Sequence, residues 1–313
     1  MSRRPRPGAW SPDDVGDLTG RRALVTGVTS GLGEATVLAF VERGAEVVMA
    51  ARNEAKLGAT IEDVRRRVPT AAVHPLLVDL ADLSSVRRAA ESARSFGSLH
   101  LLVNNAGVMA TPHLRTADGF ELQMGTNHFG HFALTGLLLP QLLDSGDARV
   151  VTIASQAHRM ARRAPLDDPR LQPSRYQRWQ AYAMSKLANL LFTYELERRA
   201  RERELPLKAL AAHPGYAATA LMGAGRIDAP TSMRTRILSG AFAIAGQSAE
   251  MGALPTLMAA TADLPGGTYV GPDGFKEMHG MPHVVTPRKL ARDPQAARRL
   301  WEISEEATGV RYP

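Results

Sequence analysis

Tyr182 and Lys186 stand four residues apart in the run Tyr182-Ala183-Met184-Ser185-Lys186, and Ser155 follows the apolar run at 150–154. Residues four apart on a helix share a face, so a lysine ammonium can lie beside the tyrosine phenol. A free phenol has a pKa of about 10 and is a poor acid or base near neutrality. A fixed positive charge favours the phenolate, at roughly 1.4 kcal/mol per pKa unit. A phenol tuned in this way gives a proton to a carbonyl being reduced, or takes one from an alcohol being oxidised. That chemistry belongs to hydride transfer. On its own, YxxxK more often marks an ordinary helix with a buried tyrosine and a solvated lysine, so the elements around it must decide.

The chain has 313 residues, 44% hydrophobic and 22% charged, which fits a soluble globular protein built as one large α/β unit. No apolar run approaches the roughly 20 residues needed to span a bilayer, so no integral membrane segment is expected. The absence of cysteine excludes disulfides, thiolate catalysis and cysteine-ligated metals. A cytoplasmic enzyme fits these features. Residues 1–7 are basic, but no apolar segment follows, so they are not a secretory signal, and 1–18 reads as an N-terminal arm. The net charge of +7 is scattered among clusters mixed with acids, and aromatics are only 5%, so a nucleic-acid partner is not expected.

Apolar runs of strand length alternate with segments of helical period, the pattern of repeated βαβ units around a parallel sheet. Strands are predicted at 23–26, 46–50, 73–78, 99–103, 149–153, 207–211 and 268–270, giving a doubly wound, seven-stranded parallel sheet with helices on both faces in a single domain. Helices are predicted at 33–43, 54–67, 84–95, 120–143, 178–203 and 248–260. Asp293 and Pro294 open a further helix to Thr308, inside a C-terminal helical extension at 286–313. Two stretches break the rhythm: the polar loop between Ser155 and Tyr182, and a long segment at 215–247 that reads as a substrate lid.

The first strand runs into Thr26-Gly27-Val28-Thr29-Ser30-Gly31-Leu32-Gly33 at a helix start. This GxxxGxG spacing departs from GxGxxG but keeps its logic. Glycines let the backbone approach a pyrophosphate, and the helix N-terminus offers free N–H groups to the anion. After the second strand stands Ala50-Ala51-Arg52-Asn53, where an NAD enzyme would place a carboxylate on the ribose. Arg52 suits a 2′-phosphate instead, which favours NADP(H) over NAD(H). Asp79 ends the third strand and could bond an adenine amino group or cap the next turn. The fourth strand ends in Asn104-Asn105-Ala106-Gly107, small residues against which a flat ligand can lie.

Together these motifs resemble the short-chain dehydrogenase/reductase family over residues 19–285. TGxxxGxG, NNAG, the serine after the fifth strand, YxxxK and His213-Pro214-Gly215 occur in the family's order. The resemblance implies a Rossmann-type domain in which Ser155 orients the substrate carbonyl, Tyr182 transfers the proton, and Lys186 binds the nicotinamide ribose and lowers the tyrosine pKa. It implies that the backbone of Asn127 holds a water of the proton relay. It also implies cofactor contacts from Gly27, Thr29, Ser30, Gly31, Leu32, Gly33, Arg52, Asp79, Leu80, Asn105, Ala106, Gly107, Pro214 and Gly215, with Thr219 at the carboxamide. The runs Asn127-His128-Phe129-Gly130-His131-Phe132 and Ala181 to Asn189 are similar to the retinol dehydrogenase branch. Those relatives often carry a membrane anchor, which is not expected here, so retinol is not carried over as substrate. Relatives commonly pair through the helices holding Asn127 and Tyr182, which implies a homodimer or homotetramer.

The expected function is an NADP(H)-dependent oxidoreductase interconverting a small apolar alcohol and its ketone or aldehyde. The alternatives are a carbon–carbon double-bond reductase on the same fold, or a non-catalytic NAD(P)-sensing or scaffold protein. His128 and His131 read as packing residues or supports of the site rather than ligands, His279 and His283 as unsuited to a metal, and Met222, Met233, Met251 and Met258 as apolar lining.

Overall fold

In the computed structural model, which describes residues 10–167, 176–216 and 247–313, the alternating pattern builds one sheet with a helical layer on each face. The strands are β1 (Arg22–Thr26), β2 (Glu46–Ala51), β3 (Val73–Leu77), β4 (Leu101–Asn104), β5 (Ala148–Ile153), β6 (Leu207–Ala212), β7 (Tyr269–Pro272) and β8 (Pro282–Val284). Their order is β3-β2-β1-β4-β5-β6-β7-β8. The seven predicted strands form and run parallel. Among the described residues the count is corrected to eight, because β8 returns antiparallel on β7, with Gly271 opposite His283. Three residues opened by a proline carry no alternation to read, and this pairing comes from a hairpin instead of a βαβ unit. Prolines also mark the other edge, where Pro75 lies in β3. A proline cannot donate to a ladder and is tolerated at sheet edges.

The helices are α1 (Gly31–Glu42), α2 (Glu54–Arg67), α3 (Leu83–Ala93), α4 (Leu122–Met124), α5 (Gly130–Asp144), α6 (Arg178–Glu202), α7 (Ala249–Thr261) and α8 (Pro294–Thr308). Strand alternation sends neighbouring residues to opposite layers. Leu24 packs with Val86 of α3 and Leu134 of α5, while Val25 packs with Phe40 of α1, Ile61 of α2 and Leu257 of α7. Strand order reverses between β1 and β4, which opens a crevice beyond their carboxyl ends, the usual ligand place in such sheets.

The helix expected at 120–143 is interrupted. A wide π turn at Gly125–Phe129 joins α4 to α5. Such turns are costly in a helix and recur at functional sites; this one contains Asn127.

Asp293 caps α8 as expected, accepting from the N–H groups of Gln295 at 2.9 Å and Ala296 at 3.2 Å. The helix lies on α5 and α6. Its fully buried Trp301 stacks on Phe192 with centroids 5.9 Å apart, and Tyr312 beyond it donates to the Phe132 carbonyl at 3.1 Å. The α5 and α6 residues that pack on α8 are therefore covered within one chain. At the other end, Val15 and Leu18 are buried in the core layer that holds α1 and α7.

Candidate active site

Thr26, the last residue of β1, organises the crevice. Its Oγ1 accepts the N–H groups of Asn105 and Ala106, both at 3.0 Å, and lies 2.9 Å from His131 Nε2. The Asn105 side chain donates back to the carbonyls of Thr26 at 2.7 Å and Gly27 at 3.2 Å. The glycine loop and the Asn104–Gly107 run are thus one hydrogen-bonded unit. A Cβ at Gly33 would stand 2.3 Å from the Gly27 carbonyl oxygen, so only glycine lets α1 start this close to the loop. Ser30 precedes α1 with its side chain making no cap bond, which leaves the first-turn N–H groups facing the crevice without a side-chain cap. These features fit a bound dinucleotide pyrophosphate.

The chemistry-bearing side chains meet at the next strands. Asn127 Oδ1 accepts from Val108 N at 2.8 Å, and its Nδ2 donates to Val108 O and Ser185 Oγ, both at 2.9 Å. Ser185 Oγ donates to the Tyr182 carbonyl at 2.8 Å. This links the π turn to α6 beside the reactive residues. Tyr182 and Lys186 share the buried face of α6, with Lys186 Nζ 5.9 Å from the Tyr182 ring centre. The ammonium donates to the Ile153 carbonyl at 2.9 Å, and Asn189 Nδ2 donates to the same oxygen at 3.0 Å. Ser155 lies close enough to the Tyr182 phenol to favour its ionised form. A Cβ at Gly107 would meet Asn127 Oδ1 at 3.1 Å and Lys186 Nζ at 3.5 Å, so that glycine lies directly against both groups.

Burial sets the proton balance. It pushes the Tyr182 phenol above its ordinary value, with the nearby Ser155 side chain opposing. It pushes the Lys186 ammonium down to about 8. In the protein alone desolvation therefore outweighs the influence of Ser155. At neutral pH the phenol holds its proton, the form a donor needs.

The remaining expected positions fall as follows. Arg52 is exposed just beyond β2, and the Ala50 carbonyl there accepts Gly27 N at 2.8 Å, so Arg52 follows the strand that borders the glycine loop. Asp79 Oδ1 accepts Ala81 N at 2.9 Å, which is the turn-capping role, and Leu80 is buried next to it. Pro214 and Gly215 follow β6. Thr219 and most of the lid expected at 215–247 lie outside the described residues, as do Met222 and Met233, while Met251 and Met258 pack in the core. His128 is buried against Ser304 at 2.8 Å, and His283 bonds the Gly271 carbonyl at 3.1 Å. Among the described residues no cluster of His, Asp or Glu could hold a metal ion.

Two contributors were not singled out from sequence, Thr26 and Asn189, while His131 takes the supporting role read for it, 2.9 Å from Thr26 Oγ1. A threonine closing an apolar strand was the available signal for the first.

Residues 21–166 match the family model described as short chain dehydrogenase. Retinol dehydrogenase 13 of Homo sapiens is 36% identical over 301 residues, spanning 95% of this chain and 87% of that protein. The chain belongs to the short-chain dehydrogenase/reductase family. Within that family it is retinol dehydrogenase-like. A crystal structure of an uncharacterized protein from Mycobacterium Paratuberculosis superposes with a TM-score of 0.80 at 41% identity, covering 97% of this chain and 99% of that one. More distant family structures were solved with NADP (Beutenbergia cavernae, TM-score 0.59, 26% identity, covering 78% of this chain and 91% of that one) and with NAD (Burkholderia phymatum, TM-score 0.61, 25% identity, covering 78% and 86%). Family membership makes the chain an oxidoreductase of the NAD(P)-binding kind. Among the described residues no helix is long and apolar enough to cross a membrane.

Proposed function

We propose that this chain is an NADP(H)-dependent oxidoreductase that interconverts an apolar alcohol and its ketone or aldehyde. The observation that carries the reading is the buried Tyr182 phenol, with Ser155 beside it and Lys186 Nζ 5.9 Å from its ring centre, at the carboxyl end of the sheet. A bound nicotinamide dinucleotide would supply or accept the hydride. For reduction, Tyr182 Oη gives its proton to the carbonyl oxygen, and Ser155 Oγ hydrogen-bonds the same oxygen while negative charge grows on it. Lys186, positive below pH of about 8, favours the phenolate left behind. Asn127 holds Ser185 and the Val108 backbone so that α6 and the loop after β4 keep their spacing.

The glycine loop, the Asn105–Gly107 run, Leu80 and the Pro214–Gly215 turn would line the cofactor, with Asp79 near the adenine and Thr219 at the carboxamide. Arg52, without a carboxylate at Ala50 or Ala51, supports the 2′-phosphate of NADP(H). The name of the human relative supports an apolar, isoprenoid-sized substrate, and a cytoplasmic location fits the composition. If the chain pairs, the cover of α8 on α5 and α6 favours another surface.

The test is a screen of ketones and aldehydes of graded size, all-trans-retinal included, following NADPH absorbance. Turnover of at least one bulky apolar carbonyl with NADPH is expected. NADPH binding with no turnover of any carbonyl or of the corresponding alcohols would overturn the assignment.

A further inference from the structure

Behind Ser155 lies a polar cluster that the mechanism above does not use. His213, at the end of β6, is fully buried. Its Nδ1 faces the N–H of Gly215 at 3.2 Å. A backbone N–H can only donate, so Nδ1 is an acceptor and the ring is neutral with its proton on Nε2. That Nε2–H points at Glu277 Oε2, 3.1 Å away. Gly271 on β7 leaves the room, since a Cβ there would stand 2.0 Å from His213 Nε2.

The Glu277 carboxylate does not stop at His213. Gln156 Nε2 donates to Oε2, and Arg159 Nη2 donates to Oε1 at 3.3 Å. Gln156 and Arg159 are themselves joined, Arg159 Nε donating to Gln156 Oε1 at 2.8 Å. Both belong to the single turn that begins at Ser155, whose hydroxyl accepts Ala157 N at 3.1 Å and whose carbonyl accepts from His158 Nδ1 at 2.7 Å. One carboxylate therefore holds the turn of Ser155 on one side and the His213–Pro214–Gly215 turn on the other. The segment that carries it is strained to do so: Lys276 has φ 50° and Glu277 φ 57°, the left-handed region that non-glycine residues seldom occupy. Next to it the Met278 carbonyl accepts Tyr216 N at 2.7 Å, a second tie to the same turn.

We propose that Glu277 is a positioning residue for the reaction: its carboxylate fixes the spacing between the Ser155 turn and the His213–Pro214–Gly215 turn. The inference rests on the reading of Ser155 as a substrate-orienting group. Loss of the carboxylate lets the two turns drift, and misplacement by about 1 Å can cost on the order of 100-fold in rate.

The test compares wild type, Glu277→Gln, and the double variant Gln156→Glu with Glu277→Gln, using NADPH and decanal as probes. In Glu277→Gln the amide sets a donor against donors from His213, Gln156 or Arg159, and kcat should fall ~10- to 100-fold. The double variant moves the carboxylate to the other partner and returns one acceptor to Arg159, so it should recover most of kcat, which a merely structural loss would not do. Nitrogen-15 NMR of labelled histidine should show His213 as the neutral Nε2–H tautomer in wild type. That readout needs no turnover, so failure of the oxidoreductase reading would leave it standing. An unchanged kcat in Glu277→Gln, no recovery in a folded double variant, or His213 as the Nδ1–H tautomer would each overturn the proposal. If Glu277→Gln fails to fold, Gln156→Leu, which cuts only the Ser155 side, carries the same expected loss of kcat.

Discussion

Lowering the pH from 8 to 5 should remove at least about 6 kcal/mol of folding stability through three of the histidines that the fold holds neutral. His128 is pushed down to about 3 by burial. His131 is pushed down to about 4, by burial first and then, against the Asn127 carbonyl bond, by the charge of Lys186. His158 is likewise at about 4, mainly through burial. Its hydrogen bonds demand the neutral ring, because Nε2 accepts Arg288 N at 3.2 Å while Nδ1 donates to the Ser155 carbonyl. Once unfolded, each ring titrates at the ordinary 6.5. Between pH 6.5 and 4 the unfolded chain binds more protons, so stability rises with pH there and is lost on acidification. At pH 5 each ring contributes roughly 1.5 pK units of difference, about 2 kcal/mol, and the three together about 6 kcal/mol. That compares with a total of about 5–15 kcal/mol for a typical domain. Carboxylates held below their ordinary range, such as Glu46 beside Arg22, act at lower pH and do not confuse the window. Urea melts at pH 8, 6.5, 5.5 and 5 measure the slope directly. A loss smaller than about 2 kcal/mol between pH 8 and 5 would mean that these rings accept protons inside the fold, contrary to the reasoning.

Other outcomes follow from single contacts. Wild type should bind NADPH more tightly than NADH by on the order of 10- to 100-fold, from charge-assisted bonds contributing roughly 1.5–3 kcal/mol. Arg52→Ala should remove most of that preference in calorimetry by weakening NADPH, and an alanine variant with the full preference would assign the phosphate to another residue. Gly33→Ala places a Cβ 2.3 Å from the Gly27 carbonyl, and the shift it forces should cost about 1–3 kcal/mol and weaken NADPH binding, read by fluorescence titration. Trp301→Ala should destabilise the chain by about 3–5 kcal/mol in a urea melt. It should also raise self-association in sedimentation, as the α5 and α6 surfaces under α8 become exposed.

The sheet was legible because seven strands are apolar runs set between helical periods, and their Gly-rich or small-residue ends mark the crevice. β8 escaped because three residues carry no period and pair through a hairpin. The π turn escaped because backbone widening leaves no mark in the apolar pattern of 120–143, although Asn127 inside it was singled out by resemblance. Tyr182 and Lys186 could be placed on one helical face from spacing alone. Their proton balance could not, because desolvation depends on the layers that close over α6, and those come from β5, the loop after β4 and the π turn. Glu277 was invisible for a related reason: its partners Gln156, Arg159 and His213 are more than 60 residues away in sequence and meet it only across the sheet edge.

The account centres on Tyr182 as the proton donor, and Tyr182→Phe tests it most directly. With NADPH and the best carbonyl of the screen, kcat should fall by about 100- to 10,000-fold, the span of general acid catalysis. NADPH affinity should stay within about threefold, a change below roughly 0.7 kcal/mol. A variant that kept more than about a tenth of wild-type kcat, a loss below roughly 1.4 kcal/mol, with NADPH binding intact, would contradict the assignment and require another donor.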